Sequence, residues 1–346
     1  MLFLKVPKKD GESVRRKLIE AGILDKQYDI INSGNFVMLP TSKAWGGFDT
    51  VELHVKKRPE RFDRLEDALS KLLTKGEMET LVKSFDIVGD IAICEIPAPL
   101  EGREAQIGAA LLKVHRNLRT VLKKLGPMEG EHRVRRFKCI AGEDRTETFY
   151  RESGVIMKLD LARVYFSVRL ATERSRIADL CGEHEKVLVL FAGVGPFALL
   201  IAKARPGSDV VAVEMNHDAV AYMDQNISLN HLDNVRAVEG DARAVDYGRY
   251  SGGGGFDRVV MPLPKSAHEF LDIAFSAVKP GGIVHFYTLS DISRPFEDAF
   301  GKALPAAERG GFRISVENQR VVRPYSPGLV QVVLDLRVVR TSTASA

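Results

Sequence analysis

The sequence predicts an α/β protein, with a doubly wound, Rossmann-like domain over residues 155–340 preceded by two smaller α+β domains at 1–61 and 62–154. Three observations carry that prediction. Val187-Leu-Val-Leu190 is an unbroken apolar run, as expected of a parallel strand covered on both faces, and it leads into Phe191-Ala192-Gly193-Val194-Gly195-Pro196. There two glycines let the backbone approach a ligand, and the proline suits a first helical turn. Asp209-Val-Val-Ala-Val-Glu214 is a second strand, ending in an acid about 20 residues past the glycines, where a carboxylate would reach a ribose hydroxyl pair. Val235-Arg-Ala-Val-Glu-Gly-Asp241-Ala242 is a third strand, and its Asp241 is placed to bind an adenine amino group. The third glycine of the dinucleotide fingerprint is missing, so an adenosine-bearing ligand without a pyrophosphate, such as S-adenosylmethionine, fits better than a nicotinamide dinucleotide.

The N-terminal 61 residues read as a small module. Leu2–Val6 is a strand, Gly11–Gly22 a helix with Val14, Leu18 and Ile19 on one face, and Tyr28–Ile31 with Asn35–Pro40 a hairpin. Phe48–Val55 is a further strand, and Lys56–Arg61 a polar linker. Nothing in this module carries catalytic chemistry, so docking is its expected task.

The middle domain begins with an amphipathic helix over Leu65–Leu73, then two short strands about Gly89-Asp90. Apolar residues from Ile107 to Leu122 recur at three and four, predicting one helix over Ala105–Leu125. Lys113, Arg116, Arg119 and Lys123 repeat on a different face of that helix. Arg133-Val-Arg135-Arg136-Phe-Lys138 follows as an extended basic segment with an interleaved aromatic. Lys113–Lys138 holds nine Lys or Arg against two acids, in a chain whose net charge is only +4. Such a block on a near-neutral protein predicts a polyanion held in one place, most simply a phosphate backbone.

In the C-terminal domain a strand pair is expected around Lys158-Leu-Asp160. Tyr165-Phe-Ser-Val-Arg-Leu-Ala-Thr-Glu173-Arg174 then starts a helix through Leu180. After the three strands named above come a strand at Phe256–Met261 with the exit loop Pro262-Leu-Pro264, a helix at 266–278 and a strand at Gly281–Tyr287. Phe312–Gln319 and Val330–Val339 close the sheet as a hairpin, and Thr341–Ala346 reads as a disordered tail.

Composition excludes several classes. No run of eighteen apolar residues could span a membrane, and Lys5, Lys8 and Lys9 break any signal-peptide core. Cys94, Cys139 and Cys181 are widely spaced and fit neither a disulfide framework nor a zinc site, so a reducing cytoplasm is expected and no metal.

Four segments together resemble one family. Tyr165–Arg174, Phe191–Phe197, Met261-Pro-Leu-Pro264 with Ala267–Asp272, and Tyr325-Ser-Pro-Gly328 look like the archaeal and eukaryotic tRNA (guanine-37-N1)-methyltransferases, the class I, S-adenosylmethionine-dependent Met-10-like group. The three-part layout matches too. The sister family of wybutosine-pathway aminocarboxypropyl transferases shares the cofactor fold but usually has an aromatic where Pro196 stands, and it lacks this N-terminal module. That transferase activity, or another S-adenosylmethionine-dependent modification of the same tRNA guanine, is the alternative reading; a non-catalytic RNA-binding protein is a more remote one.

The resemblance implies a cofactor site of Phe191, Ala192, Gly193, Val194, Gly195, Glu214, Asp241, Ala242 and Pro262. It implies Glu173 as general base, Arg133 as the cation at guanine O6, and Arg174 and Tyr165 as positioning groups. Lys113, Arg116, Arg119, Lys123, Arg135, Arg136 and Lys138 would hold RNA, with the small module at the outer corner of the tRNA and the basic domain on its anticodon arm. A monomer is expected. This chain departs from the family at Pro262, where relatives commonly carry Asn, so a side chain that could address the guanine edge is missing.

Overall fold

The structure is a computed structural model, which describes residues 1–57, 62–126, 130 and 134–340. The chain divides into two compact units, Met1–Ala68 and Leu69–Ala346.

In the first unit β1 (Leu2–Pro7) precedes α1 (Gly11–Glu20), β2 (Ile31–Ser33), β3 (Phe36–Pro40) and β4 (Thr50–Glu52). The strands form one antiparallel sheet in the order β2-β3-β1-β4. Val14 and Leu18, one turn apart on α1, pack with Leu4, Val6, Val37 and Leu39 into a small core. A short helix, α2 (Leu65–Leu69), follows where a longer one was expected.

The second unit opens with α3 (Lys75–Thr80), whose Thr74 and Glu77 form a reciprocal capping box. Then come β5 (Phe85–Val88), β6 (Ile91–Cys94), α4 (Glu104–Val114), β7 (Thr120–Lys124) and β8 (Phe137–Gly142), in a four-stranded sheet of that strand order. The single helix expected over 105–125 is therefore a helix and a strand. α4 ends at Val114, and Thr120-Val121-Leu122 enters the middle of the sheet, parallel to β6 and antiparallel to β8. A short apolar run fits a buried strand as well as a helix, and here sheet burial decided. The hairpin β9 (Glu147–Glu152) and β10 (Val155–Asp160) turns at Ser153-Gly154, both at positive φ, rather than around Lys158 as expected.

The Rossmann-like part continues with α5 (Ala171–Leu180), β11 (Lys186–Leu190), α6 (Pro196–Ala204), β12 (Asp209–Glu214), α7 (His217–Leu229), β13 (Val235–Glu239), α8 (Tyr247–Ser251), β14 (Phe256–Met261), α9 (Leu271–Ala277), β15 (Val278–Asp291), α10 (Pro295–Arg309), β16 (Phe312–Ser326) and β17 (Leu329–Arg340). The strands form one seven-stranded sheet, β13-β12-β11-β14-β15-β17-β16, in which only β17 runs against the others, antiparallel to both β15 and β16. The order reverses between β11 and β14, which opens a crevice at their carboxyl ends. α10 was not anticipated. Its alanines 299, 303, 306 and 307 are buried against the sheet.

The four-stranded sheet and the Rossmann-like part share a core. Val88, Ile91 and Leu122 pack with Leu159, Val164, Val194 and Tyr222. Hence both predicted domains lie in one compact unit. Among the described residues no helix is long and apolar enough to cross a membrane.

Candidate active site

A cavity of about 410 Å³ opens at the carboxyl ends of β11 and β12. Phe191, Gly193, Glu214, Asp241, Ala242 and Pro262 line it, and so do Tyr165, Asn216, Arg243, Lys265 and Phe270. Ala192 and Val194 are buried beneath it. Gly195 does not line the cavity. Its φ of +89° starts α6, and an added Cβ would stand 3.0 Å from the Met223 side chain, so its role is to shape the turn. Phe191 holds a φ of +54°, a strained conformation for a side chain of that size. Its ring meets Phe270 edge-on with centroids 4.8 Å apart, and the Arg243 guanidinium lies 3.8 Å over Phe270. Together they form one wall of the cavity.

Backbone donors fix Glu214. Its Oε2 accepts from Gly193 N at 2.8 Å, and its Oε1 accepts from Met215 N and Asn216 N at 3.0 and 2.8 Å. A carboxylate has about four acceptor sites, so one remains for a ribose hydroxyl. Asp241 Oδ1 accepts from Arg243 N at 2.8 Å, leaving Oδ2 for an amino group. The φ of Gly193 is +58°, and a Cβ added there would meet only the Tyr165 carbonyl, at 3.7 Å. Two buried asparagines one turn apart, Asn226 on α7 and Asn230 at its C-cap, hold this loop from behind. Asn226 Nδ2 donates to the Val194 carbonyl at 3.2 Å, and Asn226 and Asn230 bond to the backbone of Lys158 and Ile156 on β10. A donor and acceptor set of this kind suits adenosine.

A second cavity, of about 370 Å³, shares Tyr165 with the first. Lys124, Arg135, Arg169 and Arg323 supply its cations, and Phe137, Phe166 and Tyr325 its aromatic surface.

The predicted catalytic group is only partly brought together. Arg133 lies outside the described residues; the nearby Gly130 lines the first cavity. Glu173 is buried, at 3 % exposure, and lines neither cavity. Its Oε1 accepts from Tyr287 Oη at 2.7 Å and from Arg176 Nε and Nη2 at 2.8 and 2.6 Å. Its Oε2 faces Arg320 Nη1 at 3.7 Å. Arg174 is not at the site surface. At 1 % exposure it forms a bidentate pair with Glu152, at 2.7 and 2.5 Å, and donates to the Ser167 carbonyl at 3.0 Å. That bond ties it to the 165–168 segment.

Sequence reading missed the group behind Glu173. Arg176 also binds Asp335, at 2.7 Å, and Asp335 Oδ1 lies 2.5 Å from His285 Nδ1. Arg258, itself paired with Glu185, donates to His285 Nε2 at 2.8 Å, so the proton of a neutral ring sits on Nδ1. Burial pushes His285 down despite Asp335, which favours that neutral form. Burial would raise Asp335, but bonds from His285 and Arg176 outweigh it and hold the carboxyl well below its usual range. The available signal was a His and an Asp inside otherwise apolar strands, since buried polar groups need partners.

The basic block is also redistributed. Lys113, Arg116, Arg119, Arg136 and Lys138 are exposed, and Arg135 is half-buried at the second cavity. Lys123 is a correction. It is buried on β7 and bonds Glu104 and Glu101 at 2.6 and 3.0 Å, so it cannot meet RNA. Lys138 shares Glu104, at 2.6 Å. Lys123→Ala is expected to destabilise the fold by about 2 kcal/mol in thermal unfolding, by leaving Glu104 under-satisfied, with little change in RNA affinity. A variant of wild-type stability that binds RNA weakly contradicts that placement.

Residues 148–314 match the model of the TRM5/TYW2 methyltransferase domain, 65–146 that of the TYW2 N-terminal domain and 4–48 that of the tRNA methyltransferase 5 N-terminal domain. A curated relative, tRNA (guanine(37)-N(1))-methyltransferase Trm5b of Pyrococcus abyssi, is 41% identical over 340 residues, which are 97% of this chain and 99% of that one. The chain belongs to the Trm5 family of tRNA methyltransferases. A solved complex of aTrm5 with tRNALeu superimposes with a TM-score of 0.76 at 32% identity, covering 97% of this chain and 99% of that one. The sister branch is more distant. A tRNA(Phe) (4-demethylwyosine(37)-C(7)) aminocarboxypropyltransferase of Methanocaldococcus jannaschii is 33% identical over 211 residues, 61% of this chain and 82% of that one. The Trm5 assignment thus accounts for the whole length, including the 4–48 module.

Proposed function

We propose that this Trm5-family chain moves a methyl group from S-adenosylmethionine to N1 of guanine 37, beside the anticodon of tRNA. The observation that carries the reading is the cavity at the switch point, where Glu214 and Asp241 each keep an acceptor for adenosine. When bound, S-adenosylmethionine supplies an electrophilic methyl group on a sulfonium.

Guanine N1 carries a proton and is a poor nucleophile until that proton leaves. Oε2 of Glu173 is the acceptor for it, because Oε1 is already saturated. Negative charge moves to guanine O6 as the proton leaves, and Arg133 is the residue to stabilise it. Tyr165 faces both cavities, so a base extruded from the anticodon loop passes it on the way to the cofactor. The second cavity, cationic and aromatic, suits the loop nucleotides beside the target. Pro262 offers no side-chain donor, so the guanine edge on that side meets backbone.

Three parts share the substrate. Residues 1–61 dock on the outer corner of the tRNA, and exposed Lys113, Arg116, Arg119, Arg136 and Lys138 contact the anticodon arm. The 155–340 part carries the chemistry. The protein works as a monomer in the cytoplasm. Cys94, Cys139 and Cys181 are free thiols, which suits a reducing compartment.

Methyl transfer from labelled cofactor tests the assignment. A tRNA transcript with guanine 37 is expected to take label while its adenine-37 counterpart takes none. Equal labelling of the two overturns the reading.

A further inference from the structure

Glu173, proposed above as the base, has a half-exposed arginine beside its buried carboxylate. Arg176 from α5 and Tyr287 from β15 grip Oε1. Asp335 from β17 reaches it only through Arg176, and His285 lies behind Asp335. Asn318 of β16 bonds Asp335 at 3.2 Å rather than Glu173. Beside Oε2 stands Arg320 of β16, 3.7 Å away. The two partners differ sharply in exposure: 4% for the Glu173 side chain and 42% for Arg320.

Arg320 sits on a strand built to meet something. β16 is the edge of the seven-stranded sheet, and most of its residues face solvent. Its pairing with β17 shifts register between Val316 and Asn318, between Val321 and Arg323 and between Pro324 and Ser326, which blunts the edge against strand addition. Three residues beyond Arg320, Arg323 lines the second cavity and is held there by Gln331, whose Oε1 accepts from its Nε at 2.9 Å. Tyr325 lines the same cavity. On the same edge strand Arg320 stands about 10 Å along from Arg323.

We infer that Arg320 is a removable cap on Glu173: in the free protein it neutralises Oε2, and a phosphate of the bound RNA draws it away, so that the base is bared only when substrate is in place. This rests on Glu173 being the base. An exposed guanidinium gains more from a phosphate at hydrogen-bonding distance than from a carboxylate oxygen 3.7 Å away, which is beyond that distance. Arg320 is a positioning residue, because it acts through Glu173.

RNA affinity separates the two states, since the cap must let go of Glu173 before it takes the phosphate. With the full chain and an unmodified guanine-37 tRNA, Glu173→Gln removes the charge that holds Arg320 and is expected to tighten RNA binding about twofold, a gain that is lost when Arg320→Ala is added. In Arg320→Ala alone the salt dependence of RNA binding loses about one ion. Cofactor affinity stays unchanged, and Arg320→Lys restores the salt slope. Glu173 keeps Arg176 and Tyr287 in the Arg320 variants, so no buried charge is orphaned. RNA affinity that Glu173→Gln leaves unmoved, or raises equally with and without Arg320, overturns the cap, and an unmoved salt slope overturns the phosphate contact. Turnover of Glu173→Gln, read in parallel, separates the failures. If turnover is abolished while RNA affinity is unmoved, only the cap falls. If turnover stays within about threefold, the base assignment falls and the cap with it.

Discussion

Glu173→Gln is expected to lower turnover on guanine-37 tRNA by roughly 10²–10⁴, the usual contribution of a positioned general base. The substitution is close to isosteric. The amide oxygen can still accept from Arg176 and Tyr287, and Arg176 keeps Asp335, so the buried group stays assembled. Cofactor binding should survive, because Glu173 does not line the cofactor cavity. A single-turnover rate paired with a cofactor titration checks both halves. A rate within about threefold of wild type, with the cofactor bound, removes Glu173 from the chemistry.

Arg174→Ala is expected to fail for a different reason. It strips the partner from Glu152, whose side chain is only 6% exposed, and breaks the hold on the Ser167 carbonyl. Breaking a buried pair on one side costs about 3–5 kcal/mol. For a unit of this size that lowers the melting temperature by roughly 10 °C. Replacing both partners together, Arg174→Met with Glu152→Leu, should recover most of that loss, since an apolar pair of similar volume avoids the orphaned charge. If the double variant melts near wild type and methylates tRNA, Arg174 acts only by holding the 165–168 segment. If it melts near wild type and is inactive, the guanidinium itself takes part in the reaction.

Local chemistry made the cofactor half of the site legible in the sequence. An apolar run, two glycines and an acid at a set distance describe a strand, a turn and a ligand anchor with no long-range information. Gly193, Glu214 and Asp241 accordingly line one cavity. The substrate half depends on contacts between segments far apart in the chain. Glu173 and Tyr287 are 114 positions apart, and Arg176 and Asp335 are 159 apart. No periodicity announces such a pairing. Arg174, expected as a positioning group, and Lys123, expected to hold RNA, are each buried on a carboxylate partner supplied by another element, against the usual exposure of charged residues. The helix expected over 105–125 failed where an apolar run of helical spacing proved to be a central strand. That error dissolved the basic face drawn from Lys113 to Lys123. Five of the seven residues assigned to RNA nonetheless lie exposed, and a sixth, Arg135, stands at the second cavity.

The most direct test is the mass and identity of the nucleoside made. Unmodified tRNA with guanine at position 37 is incubated with the protein and S-adenosylmethionine, digested, and its nucleosides are separated against standards. One new species, 1-methylguanosine, is expected, and Pro262 is then a tolerated replacement for the family Asn. A methyl group at another guanine position, or an aminocarboxypropyl adduct, would contradict N1 transfer and assign this cavity to a different reaction.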